Sequence, residues 1–310
     1  MTDRKPRFGL IGTGIWARTV QAPAAATCDA VHFCSVFGRR EIAAKEIAEA
    51  HGAQAFTSLG AFLDSVDIVG ISLVPDAQPE FAIAAAAAGK HLLLEKPLAT
   101  DPVVADAIAE ACAKHGVQSA VFFTRLFTPQ IRQWVNEAAA NGGWLSARTE
   151  TFARVISDPG NPFYSTRWRS EVGALWDVGP HAVSLLCAAL GDVVAVSASK
   201  GRGDFTLTTL VHDNGVISTI AITLDAPSPL PGGTVLFGAS GKNEVPVPED
   251  WNGESTQAYR NAIAELATAA KSGQPTPYDA RFGARVTTIL AAAEQSIASG
   301  HQVSLDKAQS

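Results

Sequence analysis

The chain has 310 residues, 47% of them hydrophobic and 17% charged, with a formal net charge of -6. That length exceeds one ordinary core, so about two domains are expected, with enough apolar residues to fill both. The acidic balance and the lack of a basic stripe exclude a nucleic-acid backbone as the expected partner.

The charged start, Met1 to Arg7, is followed by only a short apolar run. It makes a poor signal peptide, and the expected location is the cytoplasm. Next, Arg7 to Ile11 reads as a strand that runs into Gly12-x-Gly14-x-x-Ala17 and then a helix near Ile15 to Ala26. In this dinucleotide-binding spacing the first small residue turns the chain, the second lets backbone approach a pyrophosphate, and the third lets helix pack on strand. Free N–H groups and the positive dipole end of the helix favour the phosphates. The loop residues Gly12, Thr13, Gly14, Ile15 and Trp16 are therefore the first cofactor candidates.

A second apolar run, Val31 to Phe37, ends in Gly38-Arg39-Arg40, and a helix is expected over Ile42 to His51. Dinucleotide folds usually place a carboxylate after this strand to bind a ribose 2′-hydroxyl. Here Gly38 is followed by two guanidinium groups, which suits a 2′-phosphate and favours NADP over NAD. Strands are expected over Ile68 to Leu73, His91 to Leu94 and Val117 to Phe123, with helices over Ala77 to Ala88 and Pro102 to His115. This alternation predicts a doubly wound parallel sheet covered on both faces.

The alternation stops near Phe123. A helix over Phe127 to Asn141 precedes strands at Leu145 to Ile156, Val193 to Ser199, Phe205 to Val211, Val216 to Leu224 and Thr234 to Phe237. Val172 to Leu190, Glu254 to Ser272 and Ala284 to Ser299 read as helices, and Pro227, Pro229 and Pro231 mark a loop. The expected division is residues 1–124, an α/β Rossmann domain, and residues 125–310, an α+β domain with an open, mainly antiparallel sheet. No stretch reaches the roughly 18 uninterrupted apolar residues of a membrane helix. The longest candidate, Phe81 to Ala88, stops at Gly89-Lys90, so no membrane partner is expected. Cys28, Cys34, Cys112 and Cys187 are scattered without a Cys-x-x-Cys pair, which argues for reduced thiols and against a metal site.

Three clusters carry candidate chemistry. Glu95-Lys96-Pro97 follows a buried strand at the carboxyl edge of the first sheet, where ligands bind in open α/β folds. Lys96 there can donate to a substrate hydroxyl or stabilise a forming alkoxide. In Asp177-Val178-Gly179-Pro180-His181 the histidine can take a proton near neutral pH while the carboxylate orients it. A spacing of four would put both on one helix face, although Pro180 places a start or kink there. Pro162 to Arg169 is aromatic and basic, and its Trp168 suits either a sugar face or a packing interface.

These residues resemble the Gfo/Idh/MocA family, the glucose-fructose oxidoreductase and inositol dehydrogenase group. Four ordered motifs carry the likeness: Gly-Leu-Ile-Gly-Thr-Gly-Ile-Trp-Ala from Gly9, Ala-Gly-Lys-His-Leu-Leu-Leu-Glu-Lys-Pro-Leu-Ala from Ala88, Arg-Leu-Phe-Thr-Pro from Arg125, and Gly-Ala-Leu-Trp-Asp-Val-Gly-Pro-His from Gly173. The resemblance implies hydride transfer between NADP, or NAD, and a secondary alcohol or ketone of a sugar or polyol. It implies that His181 takes the hydroxyl proton, Asp177 assists, and Lys96 holds the oxygen, with Arg125 and Trp168 at the substrate and Glu95 and Lys96 also near the cofactor. It further implies a cis Lys96-Pro97 bond and a homodimer or homotetramer built through the second sheet. Where many members have Thr-Pro-Asn-x-x-His, this chain has Val74-Pro75-Asp76-Ala77-Gln78, so the cofactor contacts expected of Val74, Pro75 and Gln78 rest on a departed motif. Two other readings of the same fold are a cofactor-binding regulator without turnover and a reductase of biliverdin reductase type.

Overall fold

A computed structural model describes residues 4–164, 166–228, 230, 232–239, 241–247 and 251–307, without the side chains of 251 and 252. Ser165, Pro229 and Pro231 of the segments above lie outside these residues. The chain separates into two compact units, Met1–Thr128 with Pro248–Ala284, and Pro129–Val247 with Arg285–Ser310.

The first unit holds a six-stranded, wholly parallel sheet in the order β3-β2-β1-β4-β5-β6. Its strands are β1 (Arg7–Ile11), β2 (His32–Phe37), β3 (Gln54–Phe56), β4 (Ile68–Ile71), β5 (His91–Leu94) and β6 (Ser119–Val121). Ile68, Val69, Ile71, Leu92, Leu93 and Leu94 are fully buried, as continuous apolar runs must be in a sheet covered on both faces. A π-helical turn, Ala17–Gln21, continues into α1 (Ala22–Ala26); then come α2 (Glu41–Ala50), α3 (Leu59–Asp64), α4 (Gln78–Ala87) and α5 (Pro102–Lys114). Asp101 caps α5, its carboxylate accepting from the Val103 N–H at 2.8 Å. β3 and α3 leave no signal in the sequence, because a three-residue edge strand and a six-residue helix are too short to show a period.

The first unit takes back a segment from beyond residue 124. After α6 (Pro129–Asn141), β7 (Trp144–Phe152), α7 (Arg167–Asp177), α8 (Gly179–Leu190), β8 (Val193–Lys200), β9 (Thr206–His212), β10 (Ile217–Thr223), β11 (Gly233–Gly238) and β12 (Gly241–Glu244), the chain enters α9 (Trp251–Ser272). The α9 stripe of Tyr259, Ala262, Ile263 and Leu266 is fully buried, and the Tyr259 ring stands edge-on to Phe122 with centroids 4.8 Å apart. This packing, not sequence order, assigns α9 to the first unit.

In the second unit a seven-stranded sheet runs β12-β11-β7-β10-β9-β8-β13, the last strand (Val303–Ser304) following α10 (Ala280–Ser299). Every pairing is antiparallel except β7 with β10, so the sheet is mixed. One face meets α8 and the end of α10: a Cβ at Gly179 would lie 3.0 Å from Leu290 and 3.6 Å from Ile222. The helix expected over Val172 to Leu190 is broken at two points, at Gly173, whose φ is +70°, and at Val178, where α7 ends and α8 begins. The joined stretch Arg167–Leu190 is long and apolar enough to cross a membrane by length and composition, which an uninterrupted-run criterion misses, yet 72% of its apolar window is buried inside the protein.

An apolar seam with no room for a water molecule lies between this sheet face and α8 and α10, lined by Leu175, Val183, Ile220, Ile289 and neighbours. Thr208 also lines it, 2% exposed, and its hydroxyl has no hydrogen-bond partner among the described residues. A buried hydroxyl that gave up water for nothing is destabilising. Thr208→Val is expected to raise stability by about 1 kcal/mol in urea unfolding; a lower midpoint would contradict this account.

Candidate active site

The loops that carry the first set of candidates leave the carboxyl ends of β1, β2 and β4. Gly12 N–H donates to the Phe37 carbonyl at 3.0 Å and Ser72 N–H to the Ile11 carbonyl at 2.8 Å, which draws the three loops together. Gly12 has φ +117°, and a Cβ there would sit 2.3 Å from the Ser72 carbonyl oxygen, so only glycine makes this turn. Gly14 is different: a Cβ on it would meet nothing within 4 Å. The protein does not require glycine there, whereas a phosphate laid against the backbone would. Helical bonding starts directly behind it, with Arg18 N–H on the Gly14 carbonyl at 3.0 Å. Ile15 is 48% exposed, and Thr13 and Trp16 are half-buried. The strand order reverses between β1 and β4, and such switch points are where open α/β sheets bind ligands. The donor set and open cradle therefore fit a dinucleotide.

Gly38 closes on this loop, since a Cβ there would lie 2.7 Å from the Thr13 methyl. Arg39 and Arg40 are exposed at the start of α2, with Arg40 at its N-cap, and neither forms an ion pair among the described residues. Two cations at the positive end of a helix cost about 0.3–1 kcal/mol each unless an anion joins them. Val74 is 44% exposed beside buried Pro75.

Gln78 has another role in the structure than its expected cofactor contact. It is fully buried, and its side-chain amide donates to the carbonyls of Glu95 at 2.9 Å and Leu98 at 3.0 Å while accepting from the Glu95 N–H at 2.7 Å. These bonds brace the loop that holds half-buried Lys96, whose bond to Pro97 is cis. Glu95 accepts from the Gln21 amide at 2.5 Å and from the Lys96 N–H at 3.2 Å, and so is committed within the protein. Burial, and then the charge of Glu95, push the Tyr259 phenol well above its ordinary range. Arg125 lies in the 3-10 turn Thr124–Phe127, where burial lowers its pKa.

The second unit carries Trp168 and Asp177 on α7 and His181 on α8, the helix that follows directly. Asp177 is the last residue of α7, while Gly179 and Pro180 open α8 and His181 stands in its first turn, its N–H on the Val178 carbonyl at 3.2 Å. Pro180 fits there because a first-turn residue needs no intrahelical N–H bond. The helix break replaces the single helix face expected for Asp177 and His181. Asp177 is 5% exposed, and Arg169 Nε donates to its Oδ2 at 2.9 Å. The Arg169 guanidinium lies 4.5 Å from the Phe163 ring centroid and 5.0 Å from that of Trp168.

Three functional candidates escaped the sequence reading. Arg169 was visible only as part of a basic segment. Asp204 accepts from the Ala174 N–H at 3.1 Å, the Leu224 N–H at 3.0 Å and the Thr223 hydroxyl, while the sequence marks it only as the end of a turn, Gly201-Arg202-Gly203-Asp204. Arg154 follows β7, its Nε buried without a hydrogen-bond partner among the described residues, in no motif.

Residues 6–123 match the GFO_IDH_MocA family, described as an oxidoreductase family with an NAD-binding Rossmann fold. Levoglucosan dehydrogenase of Pseudarthrobacter phenanthrenivorans is 32% identical over 139 residues, 43% of this chain and 35% of that protein, so the chain spans about a third of this relative. D-xylose 1-dehydrogenase (NADP(+)) 2 of Haloferax volcanii is 25% identical over 334 aligned positions, 96% of this chain and 99% of its own. The WlbA dehydrogenase of Bordetella pertussis, solved with NADH and UDP-GlcNAcA, shares the fold with a TM-score of 0.84 at 23% identity over 99% of both chains. The glycine loop and the strand order agree with the family match, which covers the Rossmann unit at residues 6–123 and places that part of the chain alongside the Gfo/Idh/MocA oxidoreductases.

Proposed function

We propose that the protein is an NAD(P)-dependent dehydrogenase or reductase acting on a secondary alcohol or ketone of a sugar or polyol, with NADP preferred. The observation that carries this reading is the open cradle at Gly14, set at the switch point of the sheet. The residues that would hold the cofactor are Gly12 to Trp16, Gly38 to Arg40, Val74, Pro75, and the backbone around Glu95 and Lys96. When bound, the nicotinamide supplies the hydride acceptor or donor. Arg39 and Arg40 support the NADP preference: they stand exposed at a helix start, neither forms an ion pair among the described residues, and a 2′-phosphate would pair with them. The Haloferax volcanii relative, whose printed name specifies NADP(+), is consistent with this.

Within the chemistry each side chain has one task. Lys96 donates to the substrate oxygen and stabilises negative charge on it in the transition state. His181 takes the hydroxyl proton in oxidation and returns it in reduction, and Asp177 stabilises the imidazolium. Arg125 is assigned to the substrate hydroxyls. Gln78 holds the Lys96 loop in place instead of touching the cofactor. The sheet face opposite α8 carries Leu207 at 44%, Ile217 at 48% and Phe237 at 36% exposure, which supports assembly of a homodimer or homotetramer through that face.

His181→Ala is expected to lower turnover by about 10²-fold or more with cofactor affinity held, the scale of a lost general base; unchanged turnover would remove His181 from the mechanism. Gly14→Ala is expected to leave the melting temperature within about 2 °C of wild type, because its Cβ meets no protein atom, while weakening the dinucleotide about tenfold, roughly 1.4 kcal/mol. Calorimetric binding checks it, and full affinity in Gly14→Ala would place the cofactor elsewhere.

A further inference from the structure

In an unbroken α-helix, residues eight apart are separated by about 12 Å along the axis. Arg169 and Asp177 are eight apart and yet joined at 2.9 Å, and what lies between them is the break at Gly173, with φ +70°. The break is anchored from the sheet: the Asp204 carboxylate binds the first N–H beyond it, that of Ala174, and also the Thr223 hydroxyl and Leu224 N–H at the end of β10. The side chains of the pair are 18% and 7% exposed, and the guanidinium lies near two aromatic rings.

Resting on the role given to Asp177 above, we propose that Arg169 is a positioning residue that fixes the Asp177 carboxylate in one orientation at the end of α7, four residues before His181. Phe163 and Trp168 hold the guanidinium, so Trp168 acts through Arg169 and not as a sugar platform. The assignment explains why an arginine stands here. Its planar group can give one N–H to a carboxylate while its faces rest on aromatic rings, and the compact ammonium of lysine has no planar face to stack in this way. Removing one member of so buried a pair leaves the other charge uncompensated, so the carboxylate is expected to turn toward water.

The test is a double-mutant cycle with Arg169→Ala, Arg169→Lys, Asp177→Asn and Arg169→Ala/Asp177→Asn, each checked for folding by circular dichroism. Arg169→Ala is expected to lower kcat about 10²-fold, the cost of a misplaced catalytic group, with KM nearly unchanged. Arg169→Lys is expected to recover little, and added methylguanidinium to restore part of the Arg169→Ala turnover. The double variant is expected to be no slower than Asp177→Asn, because Arg169 acts only through that carboxylate. Losses that multiply, or a folded Arg169→Ala with more than half of wild-type turnover, would overturn the proposal. A crystal structure of Arg169→Met supplies a readout free of activity: a turned Asp177 side chain supports the assignment, and an unmoved one refutes it. A wild type inactive on every sugar and polyol would instead count against the enzymatic reading, and the crystal structure would still decide the positioning role.

Discussion

The turn at the end of β1 depends on a hydrogen atom standing where any other residue has a carbon. A methyl at Gly12 would be driven to 2.3 Å from the Ser72 carbonyl oxygen, so the close approach of the β1 and β4 loops exists only with glycine there. That approach sets the start of the first helix, leaves Gly14 facing open space, and brings the loop to the point where the strand order reverses. The rest of the first unit serves this turn. Phe8, Ile11 and Ile71 are buried around it, and Gly38 packs against Thr13 because it too lacks a side chain.

The candidate catalytic groups are less rigidly placed by their own elements, and both units answer this with buried polar groups. Lys96 stands on a loop, and Gln78 replaces the missing backbone partners of that loop with its own amide. Asp177 stands at a helix end, and Arg169 and Asp204 fix the two sides of the helix break that leads to it. Buried donors and acceptors of this sort are stabilising only when all are satisfied, so each ties the geometry of a reactive group to the folding of its unit.

Much of this was legible in the chain. The glycine spacing, the alternating apolar runs and the Glu95-Lys96-Pro97 turn all follow local rules, and local rules survive in the folded protein. What escaped depends on distance in sequence. Nothing near Tyr259 shows that α9 covers the first sheet, since its apolar stripe fits any core. The motif position of Gln78 points to a cofactor contact, because position within a motif does not reveal that a side chain turns inward to the protein's own backbone. The pairing of Arg169 with Asp177 depends on a positive φ at Gly173, and a glycine inside a helical pattern is tolerated as often as it breaks the helix. β12 and β13 are too short to show alternation.

The central claim, that the Gly12 to Trp16 turn and the arginines behind Gly38 hold a nicotinamide dinucleotide with a 2′-phosphate, is tested most directly by titrating the purified protein with NADPH and NADH in parallel, following nicotinamide fluorescence. The account predicts saturable binding of both with NADPH bound at least about tenfold more tightly, a difference near 1.4 kcal/mol. Binding of neither, or NADH bound as tightly as NADPH, would contradict it.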